Sequence, residues 1–471
     1  MDSTIVNTAM PAITADLHGI ELIGWIVAIF LLGTAVSTPL WSKLGERAGN
    51  KFAYQLAAIF FVLGSFLQGM APNMVFLIIA RAIAGIGNGG MVSLPYIIYA
   101  QLYRNPRKRM RTLGFASASY ATATIIGPLF GGYIVDTFSW HWIFYINVPI
   151  GLLSAVLVQI FFKKPRLVKR QAPVDYLGAS LLAVGLILLL SGTELIGNGS
   201  GWLIAALMLA GVVVLGIMMR FEKSASDPII PTRLFKNTNL LVDFALFAII
   251  WGAFIGFVVY APMWAQGLLG TTALIGGATQ IPGSVTNFVG SGLVAPLRRV
   301  LTPQKVIALG TWTLIVTFVI MVLLGVHGAY WLILIAAAFE GFGNGMCFNE
   351  LQVKVQEDAE LEDLPVATSF SFLIRMLSQT FTTAIFSVIM NHSLRAGVLH
   401  SHGHISMGML NKLSDSGTVG SLPQHLLPAM RVILHHGLHN IMFMGLILLL
   451  VAAALNLWAL RKERQAKVAA N

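Results

Sequence analysis

Apolar runs recur along the whole chain, near 22–42, 52–70, 75–98, 110–134, 141–162, 176–196, 200–220, 239–262, 272–296, 304–326, 329–354, 364–392 and 436–460, with a partial run over 1–15. Most approach the roughly 20 residues that a helix needs to cross a bilayer core. Buried in hydrocarbon, such a run satisfies its own backbone N–H and C=O groups only as a helix, so an all-α bundle follows. Composition agrees, with 56% hydrophobic and only 10% charged residues; an ordinary soluble domain carries about 25% charged. The chain therefore reads as an integral membrane protein with about fourteen transmembrane helices.

A net charge of +11 raises nucleic acid as a partner, and the distribution of the charge answers it. If the runs are threaded alternately through a membrane, 25 of the 30 Lys and Arg fall on one side. Only Arg395, Lys412 and Arg431 fall on the other, while Arg81 and Arg375 lie within runs. By the positive-inside rule the rich side is cytoplasmic, with both termini there, and the cell membrane is the expected location. The basic balance is thus an orientation signal, and no nucleic-acid partner is expected. A single cysteine, Cys347, excludes an intrachain disulfide framework and a multi-cysteine metal site. No stretch reads as a cleavable signal peptide. The first run is short of a full span, so native translation is expected to begin upstream, adding about three turns of helix.

Two polar segments punctuate the runs. The basic stretch 163–171 precedes Ala172-Pro173, and 222–239 contains Pro228 and Pro231. They divide the chain into six helices over 1–170, an inserted pair over 171–238 and six more over 239–471, with a long outer loop at 392–435. An internal echo supports two related halves: Gly85-Ile86-Gly87-Asn88-Gly89 and Gly341-Phe342-Gly343-Asn344-Gly345 each lie in the fourth helix of a six-helix set. Halves repeated about an axis along the membrane normal are a known transporter plan.

Several segments carry chemistry. Ser42-Lys43-Leu44-Gly45-Glu46-Arg47-Ala48-Gly49-Asn50-Lys51 joins the second and third runs. Gly45 and Gly49 permit a tight turn, and Glu46, Arg47 and Lys51 offer partners for neighbouring helix ends; a solvated topogenic loop is the alternative. Arg81 sits within the fourth run, where a charge should face the bundle interior or a wet cavity and find partners. It is either functional or a structural cation held by carbonyls. Gly127-Pro128-Leu129-Phe130-Gly131-Gly132 in the fifth run is either a kinked packing helix or a hinge, because proline removes a helix hydrogen bond and glycine thins the helix. Glu340, in the twelfth run, and Arg375, in the thirteenth, are intramembrane ionisable groups, either functional or joined in a static salt bridge. Asp243 and Glu350 lie nearer the inner interface, where water is expected to reach them.

These segments together resemble the major facilitator superfamily. The 42–51 segment resembles its cytoplasmic signature, with Ser42 for the first glycine, Glu46 for aspartate and Asn50 for an arginine. The Arg81 stretch resembles the superfamily's motif whose arginine is implicated in proton coupling. The Gly127–Gly132 string resembles its antiporter motif, with Ala123 where glycine is common. Trp140-His141-Trp142 resembles the entry to the sixth helix, with His141 where arginine is usual. Asp2 to Pro11 resembles the first-helix signature of the fourteen-helix drug:proton antiporters, and Asp175 with Gly178 the entry to the seventh helix.

The resemblance covers essentially the whole chain. It implies the major facilitator architecture and proton-coupled export of small, largely apolar or cationic compounds by alternating access, with Asp2, Arg81, Glu340 and Arg375 as coupling groups. Leu44, Gly45, Glu46, Arg47, Gly49 and Lys51 would form the cytoplasmic latch, and Gly127, Pro128, Gly131 and Gly132 the hinge. The expected partners are a small-molecule substrate, protons and the bilayer; no cofactor or metal is expected, and the chain is expected to act as a monomer. Export of one metabolite is the nearest alternative. A membrane-embedded enzyme is disfavoured, since no His-Glu-x-x-His, nucleophile elbow or phosphate-cradling loop occurs. A channel would need a repeated pore ring, which two pseudo-repeated halves do not supply. All eleven histidines map to outer loops or outer helix ends, eight of them between 392 and 439. That cluster is a spacer, a loose metal site at His400, His402 and His404, or an external pH sensor.

Overall fold

The computed structural model describes residues 5, 6, 9, 13, 16, 17, 23–103, 105–162, 176–196, 200–222, 232–271, 273–401, 404–413, 419 and 422–469. The helices are α1 Ile23–Ala48, α2 Asn50–Gly69, α3 Met74–Leu102, α4 Pro106–Thr137, α5 Trp142–Phe161, α6 Tyr176–Glu194, α7 Gly201–Glu222, α8 Thr238–Met263, α9 Ile281–Leu297, α10 Pro303–Leu323, α11 Tyr330–Asp358, α12 Leu364–His400, the short α13 Met407–Leu413 and α14 Leu427–Ala469. Among the described residues there is no strand, and nine helices are long and apolar enough to cross a membrane. The protein is a multi-pass helical membrane protein.

Helix ends depart from the apolar runs where the backbone has no reason to stop. The segment read as a loop at 42–51 is helical except for one residue: α1 continues to Ala48 and α2 starts at Asn50. Gly49 alone makes the break, with φ of 96°, a conformation that costs any residue with a Cβ. The run at 364–392 continues as helix to His400, and the run at 436–460 begins at Leu427. Gly397 lies inside the first extension without ending it, and Pro428 stands in the first turn of the second, where its missing N–H is harmless, so intrahelical hydrogen bonding carries on past the apolar stretch. The run at 272–296 is interrupted, as Ala273–Ala278 and then α9, with Pro282 at the start of α9, where its missing N–H is harmless.

The chain forms two compact units. Unit 1 comprises Met1–Arg109, Ile126–Phe244 and Lys354–Thr380; unit 2 comprises Met110–Ile125, Ala245–Val353 and Phe381–Asn471. In unit 1 Ile5, Val6, Ala9 and Ile13 of the first segment are buried with Ile26, Leu77, Trp140 and Phe144. A second cluster packs Leu182, Leu186, Leu190 and Met218 of the α6/α7 pair against Leu32 and Ala35 of α1 and Leu373 of α12. In unit 2 α10 and α14 run together. Gly445 lies against the Phe318 ring, and Asn456 Nδ2 donates to the Gln304 carbonyl at 2.8 Å.

Candidate functional site

α3 begins where Asn73 caps it, its Oδ1 accepting from Phe76 N at 2.9 Å. About two turns further in stands Arg81, wholly buried. Its guanidinium ties three helices together. Nε donates to the Ile26 carbonyl of α1 at 3.0 Å, and Nη1 to Gln68 Oε1 of α2 at 3.4 Å. The Phe30 ring lies 4.2 Å from Cζ, a cation–π contact strengthened by low dielectric. Gln68 is fixed in turn by donating to the Gly64 carbonyl at 3.1 Å. Ile26, whose carbonyl accepts from Arg81, and Leu77, one turn before it on α3, belong to the cluster that also buries Ile5, Val6, Ala9 and Ile13. The first segment therefore packs next to the arginine, although Asp2 itself lies outside the described residues.

Small residues let α3 approach its neighbours on two faces. A Cβ on Gly85 would meet the Phe30 carbonyl of α1 and one on Gly89 would meet Ser37, whereas one on Gly87 would lie 2.6 Å from the Ala57 carbonyl of α2. Unit 2 repeats the arrangement. Gly341 and Gly345 of α11 press on the Gly283 and Asn287 carbonyls of α9, and a Cβ on Gly343 would lie 2.6 Å from the Gly310 carbonyl of α10. Hydroxyls follow the same plan, donating to carbonyls of the glycine-bearing helix. Thr34 Oγ1 reaches Gly85 O at 3.2 Å and Ser37 Oγ reaches Ile86 O at 2.9 Å; Thr286 Oγ1 reaches Ala338 O at 2.7 Å and Ser291 Oγ reaches Gly345 O at 3.1 Å. The sequence echo is thus a packing echo.

Glu340 is buried on α11, and its Oε2 lies 2.8 Å from where a Cβ on Gly283 would be, so that glycine makes room for the carboxyl. Arg375 lies on α12 with Cζ 4.9 Å from the Phe372 ring, which itself meets Tyr96 of α3 at 4.7 Å. The two belong to different units.

The 42–51 segment is ordered by specific bonds. Lys51 Nζ donates to the carbonyls of Gln159 (2.7 Å) and Phe162 (2.9 Å), satisfying the C-terminal end of α5. Asn50 Nδ2 donates to Gln101 Oε1 at 2.7 Å, and Gly45 leaves the space that the Asn50 side chain occupies. Lys43 and Glu46 pair at 3.8 Å along α1, with Leu44 and Arg47 in the same helical turns. α4 runs as one helix through Gly127, Pro128, Gly131 and Gly132, and a Cβ on Gly131 would be 3.2 Å from Ile5. Of the histidines, His18 and His402 lie outside the described residues.

Sequence reasoning gave too little weight to the acids near the helix ends. Asp243 and Glu350 are fully shielded from solvent, not bathed in it. Each is buried because a cation accompanies it: Lys354 Nζ is 3.3 Å from Asp243, and Arg298 Nε is 2.9 Å from Glu350. Lys354 also pairs with Asp358, one turn along α11. Beside them Arg109 Nη1 donates to Gln356 Oε1 at 3.0 Å, and Gln356 donates to Thr368 Oγ1 at 3.4 Å. The i,i+4 spacing of Lys354 and Asp358 was visible in sequence; their pairing with Asp243, more than a hundred residues away, was not.

A model of the major facilitator superfamily matches residues 1–383. The chain belongs to the major facilitator superfamily. It is 30% identical to the multidrug transporter protein MdtP of Bacillus subtilis, over 97% of this chain and 90% of that one. It is 28% identical to multidrug resistance protein 3 of the same organism, over 96% and 91% respectively, and 30% identical to the rubrofusarin-specific efflux pump aurT of Gibberella zeae, over 92% and 80%. A crystal structure of the human organic anion transporter MFSD10 shares the fold, with a TM-score of 0.62 over 95% of both chains at 12% identity. This superfamily member is therefore a transporter of small molecules across a membrane, not an enzyme.

Proposed function

We propose that the protein exports small, largely apolar or cationic compounds in exchange for protons, by alternating access. The observation that carries this reading is Arg81, a wholly buried cation on a membrane-spanning helix, held by a carbonyl, an amide oxygen and an aromatic face. An arginine is a poor proton carrier, but it favours the ionised form of a carboxyl that comes near it. Asp2 is the proposed partner, since the first segment packs beside Ile26 and Leu77. Glu340 supplies a second intramembrane acid, suited to cationic substrates. The names of the bacterial relatives support drug export.

In this reading residues 1–170 and 239–471 are the two six-helix sets and 171–238 the inserted pair, the 42–51 segment is the inner latch, and Gly127–Gly132 the hinge. The protein works as a monomer in the cell membrane with both termini inside. Dye accumulation in everted vesicles tests the coupling, which requires that collapse of the pH gradient stop accumulation. A single dedicated metabolite is the second reading, favoured by the similarity to a rubrofusarin-specific pump; a substrate screen in a strain lacking other exporters separates the two.

A further inference from the structure

The end of unit 2 that the charge distribution assigns to the outside contains buried donors without an acceptor among the described residues. α8 ends in a π-turn, Trp264–Leu268, a feature that recurs at functional places. The turn presses Trp264, wholly buried, against α14, where its ring meets His435 edge-on at 5.2 Å. Gly270 follows with φ of 68°, and a Cβ there would lie 3.0 Å from Nη2 of Arg431, one turn before His435 on α14. The π-turn and the start of α14 thus form one seam.

Three atoms of this seam are buried and have no hydrogen-bond partner among the described residues: Trp264 Nε1, Arg431 Nε and Thr271 Oγ1. The first two can only donate, and the hydroxyl can donate as well. Buried groups of this kind in native structures are met by water or an ion. No described carboxylate serves them. The acids of unit 2 are Glu340, Glu350, Asp415 and Glu463. Glu340 lies over Gly283, Glu350 is held by Arg298, Glu463 is at the far end of α14, and Asp415 lies outside the described residues. Residues 392–439 carry Arg395, Lys412 and Arg431 against the single acid Asp415. Surplus donors and surplus positive charge call for an acceptor that carries negative charge.

We propose that the seam between the π-turn and α14 is an oxyanion-binding site, taking a phosphate or carboxylate group through Arg431 and Trp264 with Thr271 at its edge. The guanidinium supplies a charged, directional donor for such a group, and the indole N–H a second. The proposal uses neither Arg81 nor Glu340 and does not depend on the export reaction. The oxyanion comes from the outer medium or from the headgroup of an anionic lipid.

Thermal unfolding of the purified, delipidated full chain in detergent tests the site and its source. One arm titrates inorganic phosphate at constant ionic strength; the other adds phosphatidylglycerol and counts retained lipid by native mass spectrometry. A saturable rise in Tm is expected in one arm or both, and the arm that responds names the source. Arg431→Gln should weaken the response about tenfold, the scale of one charged hydrogen bond. Trp264→Phe, which keeps a ring but removes the N–H, should weaken it too, whereas Arg395→Gln at an exposed outer position should not. Should Arg431→Gln fail to fold, Arg431→Lys keeps the charge, loses the fork and carries the same expectation. No response in either arm, or one that Arg431→Gln and Trp264→Phe leave intact, overturns the proposal.

Discussion

Removing Lys354 should destabilise the protein far more than removing the acid it holds. Asp243 is wholly buried, and Lys354 Nζ stands 3.3 Å from its carboxylate while also pairing with the partly exposed Asp358. At that distance, and an effective dielectric of about 20, the gross attraction is about 5 kcal/mol. Lys354→Met strips Asp243 of its cation and leaves a buried charge, a change that costs about 3–5 kcal/mol. Asp243→Asn leaves Lys354 paired with Asp358 and should cost only about 1 kcal/mol. The double variant Asp243→Leu with Lys354→Met removes both charges together and should recover to within about 1 kcal/mol of the parent. Thermal or denaturant unfolding of the detergent-solubilised protein compares the parent with the three variants. Equal losses from the two single variants, or a double variant as weak as Lys354→Met, would refute the claim that Lys354 compensates a buried acid.

Gly343→Ala should cost about 1–3 kcal/mol, because its Cβ would sit 2.6 Å from the Gly310 carbonyl and push α10 and α11 apart; unfolding at the parental midpoint would show that the helices are not in close contact. Gly49→Ala should cost about 1–2 kcal/mol through its φ of 96°, measured the same way, with no loss if the α1–α2 break relaxes. Glu340→Gln should impair export of cationic substrates selectively, read as efflux rates for matched cationic and neutral dyes; equal loss of both would assign Glu340 a structural role.

The membrane-spanning plan was legible because the length and polarity of a spanning helix are fixed by the bilayer, a constraint written locally into each apolar run. The glycine echo was legible for the same reason: Gly85 and Gly341 answer a local need for close backbone approach, and their i, i+2, i+4 spacing displays both contact faces. Helix ends were less so. The stretch 42–51 is polar, and polarity suggested a loop, but leaving the bilayer does not end a helix, and only Gly49 breaks this one. Least legible were the long-range pairs. Asp243 looked accessible because its position in the run is near an end; what buries it is Lys354, brought to it by the fold. Arg81 was visible as an intramembrane charge, yet its acceptors, Ile26 and Gln68, are an apolar residue's carbonyl and a plain amide that no motif marks.

Proton coupling through Arg81 is tested most directly by parallel measurement of substrate and proton fluxes in proteoliposomes under an imposed pH gradient. The parent protein should drive a dye against its own gradient with proton movement in the opposite direction, both ceasing when the gradient is collapsed. Arg81→Ala, inserted in equal amount, should still bind the dye but accumulate none uphill. Uphill accumulation that persists without the gradient, or that survives in Arg81→Ala, would contradict proton exchange through this site.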